Sequence, residues 1–256
     1  MMRSVRRNRS AFTLVEMLLV VGVLAVLMSF LVPNVLDDLE RMRLPESARQ
    51  MRSVLQLTRA HAMCDGRRYR VRWAEPGKGE EGGDLRQPII EREDEPLREP
   101  GVFNPVKAPW VHGATLLDGI RCVEVRLGKP TIERLITDDT KQQEMLVQEL
   151  GDGVDEVRPP LYFEPDGTSE WVTFVITNAP PEAGDLAEEL ADYPMIEVIL
   201  DGLTGLAWLQ RPFYDEEIAM LQEHNWPPVL RRDFLEPRVL TENDVIEIRE
   251  SLVRRK

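Results

Sequence analysis

A single carboxylate stands near the start of a long apolar run at the N-terminus of this chain, and it constrains the fold more than any other feature. Residues 10–17 read Ser-Ala-Phe-Thr-Leu-Val-Glu-Met, with the acid at Glu16, and residues 17–36 carry no charge. About 20 apolar residues suffice to cross a bilayer. A charged side chain in a spanning helix costs roughly 2.5–3.5 kcal/mol on insertion scales, so Glu16 requires a partner or a function.

Four arginines precede the apolar run, namely Arg3, Arg6, Arg7 and Arg9. By the positive-inside rule they predict a cytoplasmic N-terminus and a body on the other side of the membrane. The whole chain has a formal net charge of −13, and removal of the leader would make it more acidic still. An acidic body repels phosphate backbones, so nucleic acid is an unlikely partner on charge grounds.

Residues 10–17 resemble the class III signal of type IV pilins and of the pseudopilins of type II secretion. In that family a prepilin peptidase cuts before the apolar segment and methylates the new amino terminus. The resemblance implies that Ala11 is the last leader residue, where the family usually has Gly, and that Phe12 is the methylated N-terminus. It also implies that Glu16 acts in assembly, by pairing with the amino group of a neighbouring subunit.

Two simpler interpretations compete with the prepilin signal. A secretory signal peptide ends at a small-residue cleavage site, but residues 33–38, which follow the apolar run, contain no Ala-x-Ala pattern. A plain membrane anchor over residues 12–31 explains the apolar run but not the acid beside a basic leader. The prepilin interpretation accounts for all three features.

The resemblance and the hydropathy pattern together divide the chain into five segments. They are a prepilin leader (1–11), a transmembrane helix segment (12–36), the amphipathic half of the same helix (37–64), a periplasmic β-rich domain with insertions (65–210) and a C-terminal helical extension (211–256). We expect an α+β, pilin-like fold in which the long N-terminal helix packs on an antiparallel β-sheet domain.

The helical segment has internal signals of its own. Pro33 and Pro45 predict breaks or kinks, and Gly66 predicts the helix end. Apolar residues then recur at steps of three, four or seven, which predicts one buried face that the domain must cover. These residues are Leu44, Ala48, Met51, Leu55 and Ala62.

Strand signals begin after the helix. Residues 69–73 and 120–127 alternate with period two. Between them, residues 75–109 are rich in Gly, Pro and charge and predict an insertion with a short strand near Ile89 and Ile90. Residues 137–160 form a second polar stretch with a short helix.

Two later segments, residues 161–176 and 196–209, each read as strand, Asp-Gly turn and strand. They resemble the C-terminal hairpins of the GspH/FimT group, the H-type minor pseudopilins and their minor-pilin relatives. Asp-Gly pairs satisfy turns that need a positive φ. A calcium loop is the weaker interpretation, because Ca²⁺ needs about six to eight oxygen ligands and few acids cluster here.

The C-terminal extension predicts two helices, one over residues 215–226 and one opened by a capping-box-like Thr241 and Asp244. Its basic end, residues 254–256, suits a helix C-terminus. Some minor pilins bind DNA through a basic tail, but the acidic body disfavours that use here.

No catalytic, cofactor-binding or metal-binding constellation is evident. His61, His112 and His224 are scattered. His61 and Cys64 share helical spacing, but no second ligand pair accompanies them. Cys64 and Cys122 could form a disulfide in an oxidising compartment, with two separately buried thiols as the default expectation.

The resemblance, together with the lack of a catalytic constellation in the sequence, implies a non-enzymatic minor pseudopilin, a structural subunit of a type II secretion pseudopilus. The alternatives are a minor pilin of a type IV pilus, acting in priming, adhesion or DNA uptake, and a membrane-anchored binding module that never assembles. The expected partners are the prepilin peptidase, other pilin-like subunits through the N-terminal helix, the inner membrane and secreted proteins. Specificity would lie in residues 75–109 or in the C-terminal extension.

Overall fold

The computed structural model describes residues 14–73, 87–111, 115–131, 159–183, 190 and 192–254, and for residues 29–39 and 252–254 the backbone alone. The chain divides into two units, Met1–Met42 and Arg43–Lys256. The first unit contributes the beginning of helix α1 (Leu14–Asp65), and the second contains the rest of that helix and all the described strands.

Helix α1 runs without interruption for 52 residues. Of the predicted breaks or kinks at Pro33 and Pro45, the breaks are therefore wrong, and a kink at either proline remains a prediction. At Pro45 the neighbouring turn is held by Leu44 and Ala48, both buried in the core, and this packing offsets the backbone hydrogen bond that proline cannot make. The predicted end is confirmed: Gly66 has a φ of 62°, and the Arg67 amide donates to the Ala62 carbonyl at 3.3 Å.

The described strands form two four-stranded antiparallel sheets. The first contains β1 (Tyr69–Trp73), β2 (Pro88–Glu93), β3 (Phe103–Pro105) and β5 (Leu161–Phe163), in the order β3-β2-β1-β5. The second contains β4 (Arg121–Leu127), β6 (Val172–Thr177), β7 (Met195–Leu200) and β8 (Ala207–Gln210), in the order β4-β6-β7-β8. All six residues of β6 are buried, as expected for a central strand covered on both faces.

The second half of α1 packs on these sheets. Its predicted apolar face is confirmed, because Leu44 is 4% exposed and Ala48, Met51, Leu55 and Ala62 are 0% exposed. The same core contains Val71 of the first sheet and Phe174 of the second. The predicted α+β fold, with an N-terminal helix packed on antiparallel sheet, is therefore confirmed.

The first of the two predicted hairpins is wrong. Its strands, β5 and β6, belong to different sheets, and an isolated bridge joins Phe163 of β5 to Ser169, which precedes β6. The Asp-Gly turn does form, since the Glu164 amide donates to the Thr168 carbonyl at 2.8 Å. Beyond that bridge, β5 pairs with β1 whereas β6 pairs with β4 and β7, so the two strands separate.

The second predicted hairpin, β7–β8, is confirmed, but its glycines act differently from the prediction. The positive φ, 68°, falls on Gly205 rather than on Gly202. Gly202 is needed for space, because a Cβ there would lie 2.1 Å from the Ser169 carbonyl oxygen. Overlap with a backbone atom cannot be relieved by moving a flexible side chain.

The two glycine turns also lie against the end of α1. The Arg59 Nε donates to the Gly167 carbonyl at 2.7 Å, and the Arg59 side chain covers Gly205. Met63 covers Gly167, where φ is 81°. Arg59 and Met63 therefore fix both turns to the helix.

The C-terminal extension contains α2 (Asp215–Glu223) and α3 (Glu242–Arg254), which confirms both predicted helices. Asp244 accepts hydrogen bonds from the Thr241 amide at 3.0 Å and its hydroxyl at 2.5 Å, as the capping signal predicts. The extension has its own apolar cluster, whose buried members are Phe213, Leu221, Leu230, Phe234, Leu240, Val245 and Ile248.

This extension is fastened to the rest of the second unit at the edge of β8. Phe234 forms a parallel bridge with Gln210, and Asp233 accepts from the Leu209 amide at 3.1 Å. Arg52 of α1 donates to both carboxylate oxygens of Asp233, each at 2.8 Å. The extension thus covers the edge strand of the second sheet.

Strand β2 confirms the short strand predicted near residues 89–90, and β3 is a strand that the prediction missed. Residues 74–86 lie outside the described residues, and so does most of the predicted short helix within 137–160.

Candidate assembly site

The first unit presents an apolar surface on every side of α1. Each residue from 14 to 28 is exposed, and Leu14 reaches 78% while Val20, the least exposed of the large apolar side chains, still reaches 44%. A helix that is apolar all round is normally buried in protein or lipid. The surface therefore needs a covering partner.

Glu16 is the only charged residue in this exposed stretch, and it lies in the first turn of the described helix. An acid in the first turn interacts favourably with the helix dipole. If other apolar surfaces cover this helix, the carboxylate is withdrawn from water and then requires a cation or hydrogen-bond donors. The arrangement can therefore select a partner that carries a positive charge.

The predicted cleavage and methylation residues, Ala11 and Phe12, lie outside the described residues. No helix within the described part of the chain has an apolar stretch long enough to cross a membrane.

The histidines noted in the sequence do not come together in the described structure. His61 stacks on Trp110 with ring centroids 4.4 Å apart, and His224 stacks on Trp226 at 4.7 Å. His112 lies outside the described residues. Among the described residues, no three His, Cys, Asp or Glu side chains are grouped as metal ligands would be.

The two cysteines do not form a disulfide with each other. Cys122 is buried, as the default expectation had it, but Cys64 is exposed at the end of α1, so the expectation of a buried thiol is wrong there. The helix turns Cys64 toward solvent because Ala62 occupies the buried face at this end.

A small cavity of about 20 Å³ is lined by residues of β4, β6 and β7 and by Pro228 of the extension, beside Arg126 and Glu197. Burial raises the pKa of Glu197, while Arg126, whose guanidinium is 3.3 Å from the carboxylate, acts in the opposite direction. A space of this size holds about one water molecule and is far below the roughly 300 Å³ of a small-molecule pocket. The cavity therefore suggests no substrate.

Comparison with known proteins bears on the N-terminal segment. The family model described as the prokaryotic N-terminal methylation motif matches residues 6–32. The chain carries this motif. The prepilin-type signal predicted from residues 10–17 is thereby confirmed, and the matched range contains Ala11, Phe12 and Glu16.

One solved structure resembles the chain, that of the minor pseudopilin EpsH from the Type 2 Secretion System of Vibrio cholerae. The two are 17% identical, the TM-score is 0.36, and the match covers 66% of this chain and 96% of EpsH. A likeness of this size does not establish a shared function. No curated protein matches the sequence.

Sequence reasoning found the segment that carries the methylation motif but missed the contacts that organise the body. Arg59, Met63 and Arg52 each join α1 to a distant turn or loop. Arginines on the flank of an amphipathic helix are ordinary surface residues by pattern, so no local signal distinguishes these.

Proposed function

We propose that this protein is a minor pseudopilin, a structural subunit of a type II secretion pseudopilus, and not an enzyme. The observation that carries the proposal is the methylation motif over residues 6–32, which leads into a helix whose apolar side chains are exposed from residue 14 to residue 28. The motif directs processing, and the exposed apolar surface must be buried in lipid or protein. Both properties are expected of a subunit that stays in a membrane until it assembles.

In this proposal residues 12–36 cross the inner membrane, with the N-terminus cytoplasmic and the body periplasmic. A prepilin peptidase removes residues 1–11 and methylates Phe12. The helix then leaves the lipid for the equivalent helices of other pilin-like subunits, and the assembled filament lies in the periplasm. Secreted proteins are the expected cargo, and the acidic body disfavours nucleic acid as a partner.

Glu16 gives the proposal its mechanism. Its carboxylate pairs with the Phe12 amine of a neighbouring subunit, so that neither charge is left alone in an apolar medium. Removing one member of a buried pair typically costs about 3–5 kcal/mol, because the other charge stays buried without compensation. The pair therefore sets the register between neighbouring subunits.

Glu16→Ala tests this mechanism against a plain anchor. Removing the charge should ease membrane insertion by up to roughly 2.5–3.5 kcal/mol, so a plain anchor would be unharmed. A pairing residue predicts normal insertion and cleavage, with loss of cross-linking to other subunits and of filament entry. Glu46→Ala, at an exposed position in the second half of α1, is the matched control and should leave filament entry unchanged.

The N-terminus tests the processing step separately. Mass spectrometry of the membrane-extracted chain should find N-methylated Phe12. A chain that still begins at Met1 would contradict the proposal, and so would Glu16→Ala subunits that enter filaments at the wild-type level.

A minor pilin of a type IV pilus is the alternative, because the same N-terminal motif serves both kinds of filament in the family that the sequence resembles. Filament location separates the two, since a pilus extends beyond the cell and a pseudopilus stays in the periplasm. A membrane-anchored module that never assembles predicts no filament entry for the wild type.

A further inference from the structure

Glu197 of β7 lies on the face of the second sheet that is turned away from α1. Its neighbours Ile196 and Val198 belong to the core that contains α1, so alternation along the strand puts Glu197 on the opposite face. The small cavity beside Arg126 places Pro228 of the extension next to the Glu197 side chain, which is 8% exposed. An ionisable group is therefore buried where the C-terminal extension meets the sheet.

Neutral contacts hold the extension at this point. Gln210 pairs with Glu197 across β7 and β8 and so lies on the same face. The Gln210 side chain donates to the Pro228 carbonyl at 3.2 Å and accepts from the Leu230 amide at 3.4 Å. Neither bond reaches the Glu197 carboxylate. Docking of residues 228–230 beside this acid therefore supplies it with no charge of opposite sign.

Two carboxylates share one guanidinium beside the cavity. Arg126 donates to the two oxygens of Glu124, each at 2.5 Å, and to Glu197 at 3.3 Å. With both acids ionised, these three side chains carry a net negative charge. Because the Glu124 side chain is 42% exposed and has the shorter bonds, a proton on Glu197 is the cheaper way to remove the excess charge. Burial raises the pKa of Glu197, Arg126 opposes that increase, and Glu124 adds to it.

The other elements around Glu197 bring no charge into the cavity within the described part of the chain. Their lining residues are Thr173 and Ile199 of the sheet, Gly128, Pro130 and Thr131 after β4, and Pro228 of the extension. Lys129, between two of these residues, is exposed to solvent. Arg126 and Glu124 are therefore the charged groups that decide the protonation of Glu197.

We propose that Glu197 is a pH-sensitive switch for the C-terminal extension: residues 228–230 stay docked on the second sheet while Glu197 is protonated and separate from it when Glu197 is ionised. A protonated carboxyl can remain buried with few hydrogen bonds, whereas an ionised one needs donors beyond the single bond from Arg126. The cavity has room for about one water molecule, so fuller hydration requires the extension to move.

The direction of the pH dependence follows from the same arrangement. The docked form holds the proton more tightly than the undocked form, in which the carboxyl is in water. Docking is therefore complete below about pH 4.5, the ordinary pKa of Glu, and weakens as the pH rises through the raised pKa of the docked form. Glu217, a buried acid within the extension, has a lowered pKa, so its own effect falls below this range.

The experiment follows amide hydrogen exchange of the full chain in detergent from about pH 5 to about pH 8. The reporters are the amides of Leu230 and Phe234, which donate to the Gln210 side chain and the Leu209 carbonyl. After correction for the intrinsic pH dependence of exchange, their protection should fall at least about tenfold, since one unit of pKa corresponds to about a tenfold change in an equilibrium. The amides of β6 and β7 should keep their protection.

Three variants test whether Glu197 is the group responsible. Glu197→Gln keeps the side chain neutral at every pH, so its reporter amides should stay protected throughout. Glu170→Gln is the matched control, because Glu170 is an exposed acid, and it should retain the wild-type pH dependence. Histidine also changes charge in this pH range, so His224→Gln, within the extension, is a second control that should retain the dependence.

The charged neighbours supply a readout that a merely structural role would not move. Glu124→Gln removes the carboxylate that competes for Arg126, so the midpoint of the pH dependence should move to lower pH. Arg126→Gln removes the cation and should move the midpoint to higher pH. Infrared difference spectra between the wild type and Glu197→Gln should show a protonated carboxyl that is lost over the same pH range.

Protection that does not change with pH in the wild type would overturn the inference, and this result needs no variant. So would a pH dependence that persists in Glu197→Gln, or midpoints that fail to move in opposite directions in Glu124→Gln and Arg126→Gln. Failure of the proposed function would leave these measurements unaffected, because that function is tested at Phe12 and Glu16.

Discussion

Replacing Glu217 with Ala should destabilise the C-terminal extension severely, because Glu217 closes a buried ion pair. Its side chain is fully buried, and the two nitrogens of Arg211 donate to it at 2.6 and 2.8 Å. The same carboxylate accepts from the Tyr214 amide at 2.8 Å and from the Leu240 amide. It therefore joins the start of α2 to the segment that leads into α3.

The expected cost follows from what the substitution leaves behind. Arg211 keeps its hydrogen bonds to the carbonyls of Pro212, Glu236 and Arg238 but loses the only carboxylate that the structure gives it among the described residues. Breaking a buried pair in this way typically costs about 3–5 kcal/mol. Two backbone amides also lose their acceptor, so we expect the upper part of that range.

The assay is urea unfolding of the full chain in detergent, combined with amide hydrogen exchange. The amides of α2 and α3 should lose protection before those of the two sheets, because the extension has its own apolar cluster. Glu223→Ala, an exposed position at the end of the same helix, should change the free energy of unfolding by no more than about 0.5 kcal/mol. A free energy of unfolding for Glu217→Ala within about 1 kcal/mol of the wild-type value would refute the reasoning, because breaking a buried pair costs several times that amount.

The pH dependence gives the same prediction a second test. Burial raises the pKa of Glu217, but Arg211 and the two amides lower it more, so the net direction is downward. A carboxyl whose pKa is depressed by folding contributes stability above its unfolded pKa, near 4.5, and loses it as the pH falls through the folded value. The difference between wild type and Glu217→Ala should therefore shrink in acid.

Three further predictions concern the rest of the molecule. A chain that begins at Leu44 should be soluble and melt cooperatively. A chain that begins after Cys64 should not, because it lacks the face of α1 that covers the core. Equal melting temperatures for the two chains would contradict this prediction. Gly202→Ala should lower the free energy of unfolding, measured in urea, by more than about 3 kcal/mol, because the new Cβ would overlap backbone atoms. Gly119→Ala should lower it by about 1–2 kcal/mol, because its Cβ would enter open space and only the φ of 82° is unfavourable. Glu197→Gln should raise the free energy of unfolding at neutral pH, because burial raises the pKa of the Glu197 carboxyl. This gain should vanish below about pH 4.5, where the wild-type side chain is protonated. A gain that persists in acid would contradict the prediction.

The helix and most strands were predictable because their signals are local. The buried face of α1 follows from spacing alone, and Leu44, Met51 and Leu55 are buried as that spacing requires. The continuity of α1 through Pro45 was not predictable, because it depends on packing against a sheet that forms from distant sequence. Local propensity predicts a break at this proline, and tertiary contacts override that propensity.

The candidate assembly site was predictable for a different reason. A lone acid in an apolar run is conspicuous against its surroundings, and the basic leader beside it makes the pattern specific. Nothing in that pattern depends on long-range contact. Cleavage after Ala11, methylation of Phe12 and pairing by Glu16 remain predictions, since two of these residues lie outside the described part of the chain.

The β7–β8 turn shows where sequence reasoning reaches its limit. The Asp-Gly signal at residues 201–202 predicted the correct turn for the wrong reason, since the glycine is required by the backbone of Ser169 and not by its own φ. That contact joins two turns more than 30 residues apart in the sequence. It also fixes the turn that carries Leu203 and Leu206 against the segment that leads into β6. Local pattern assigns each of these segments to an ordinary turn, and only the fold brings the two turns together.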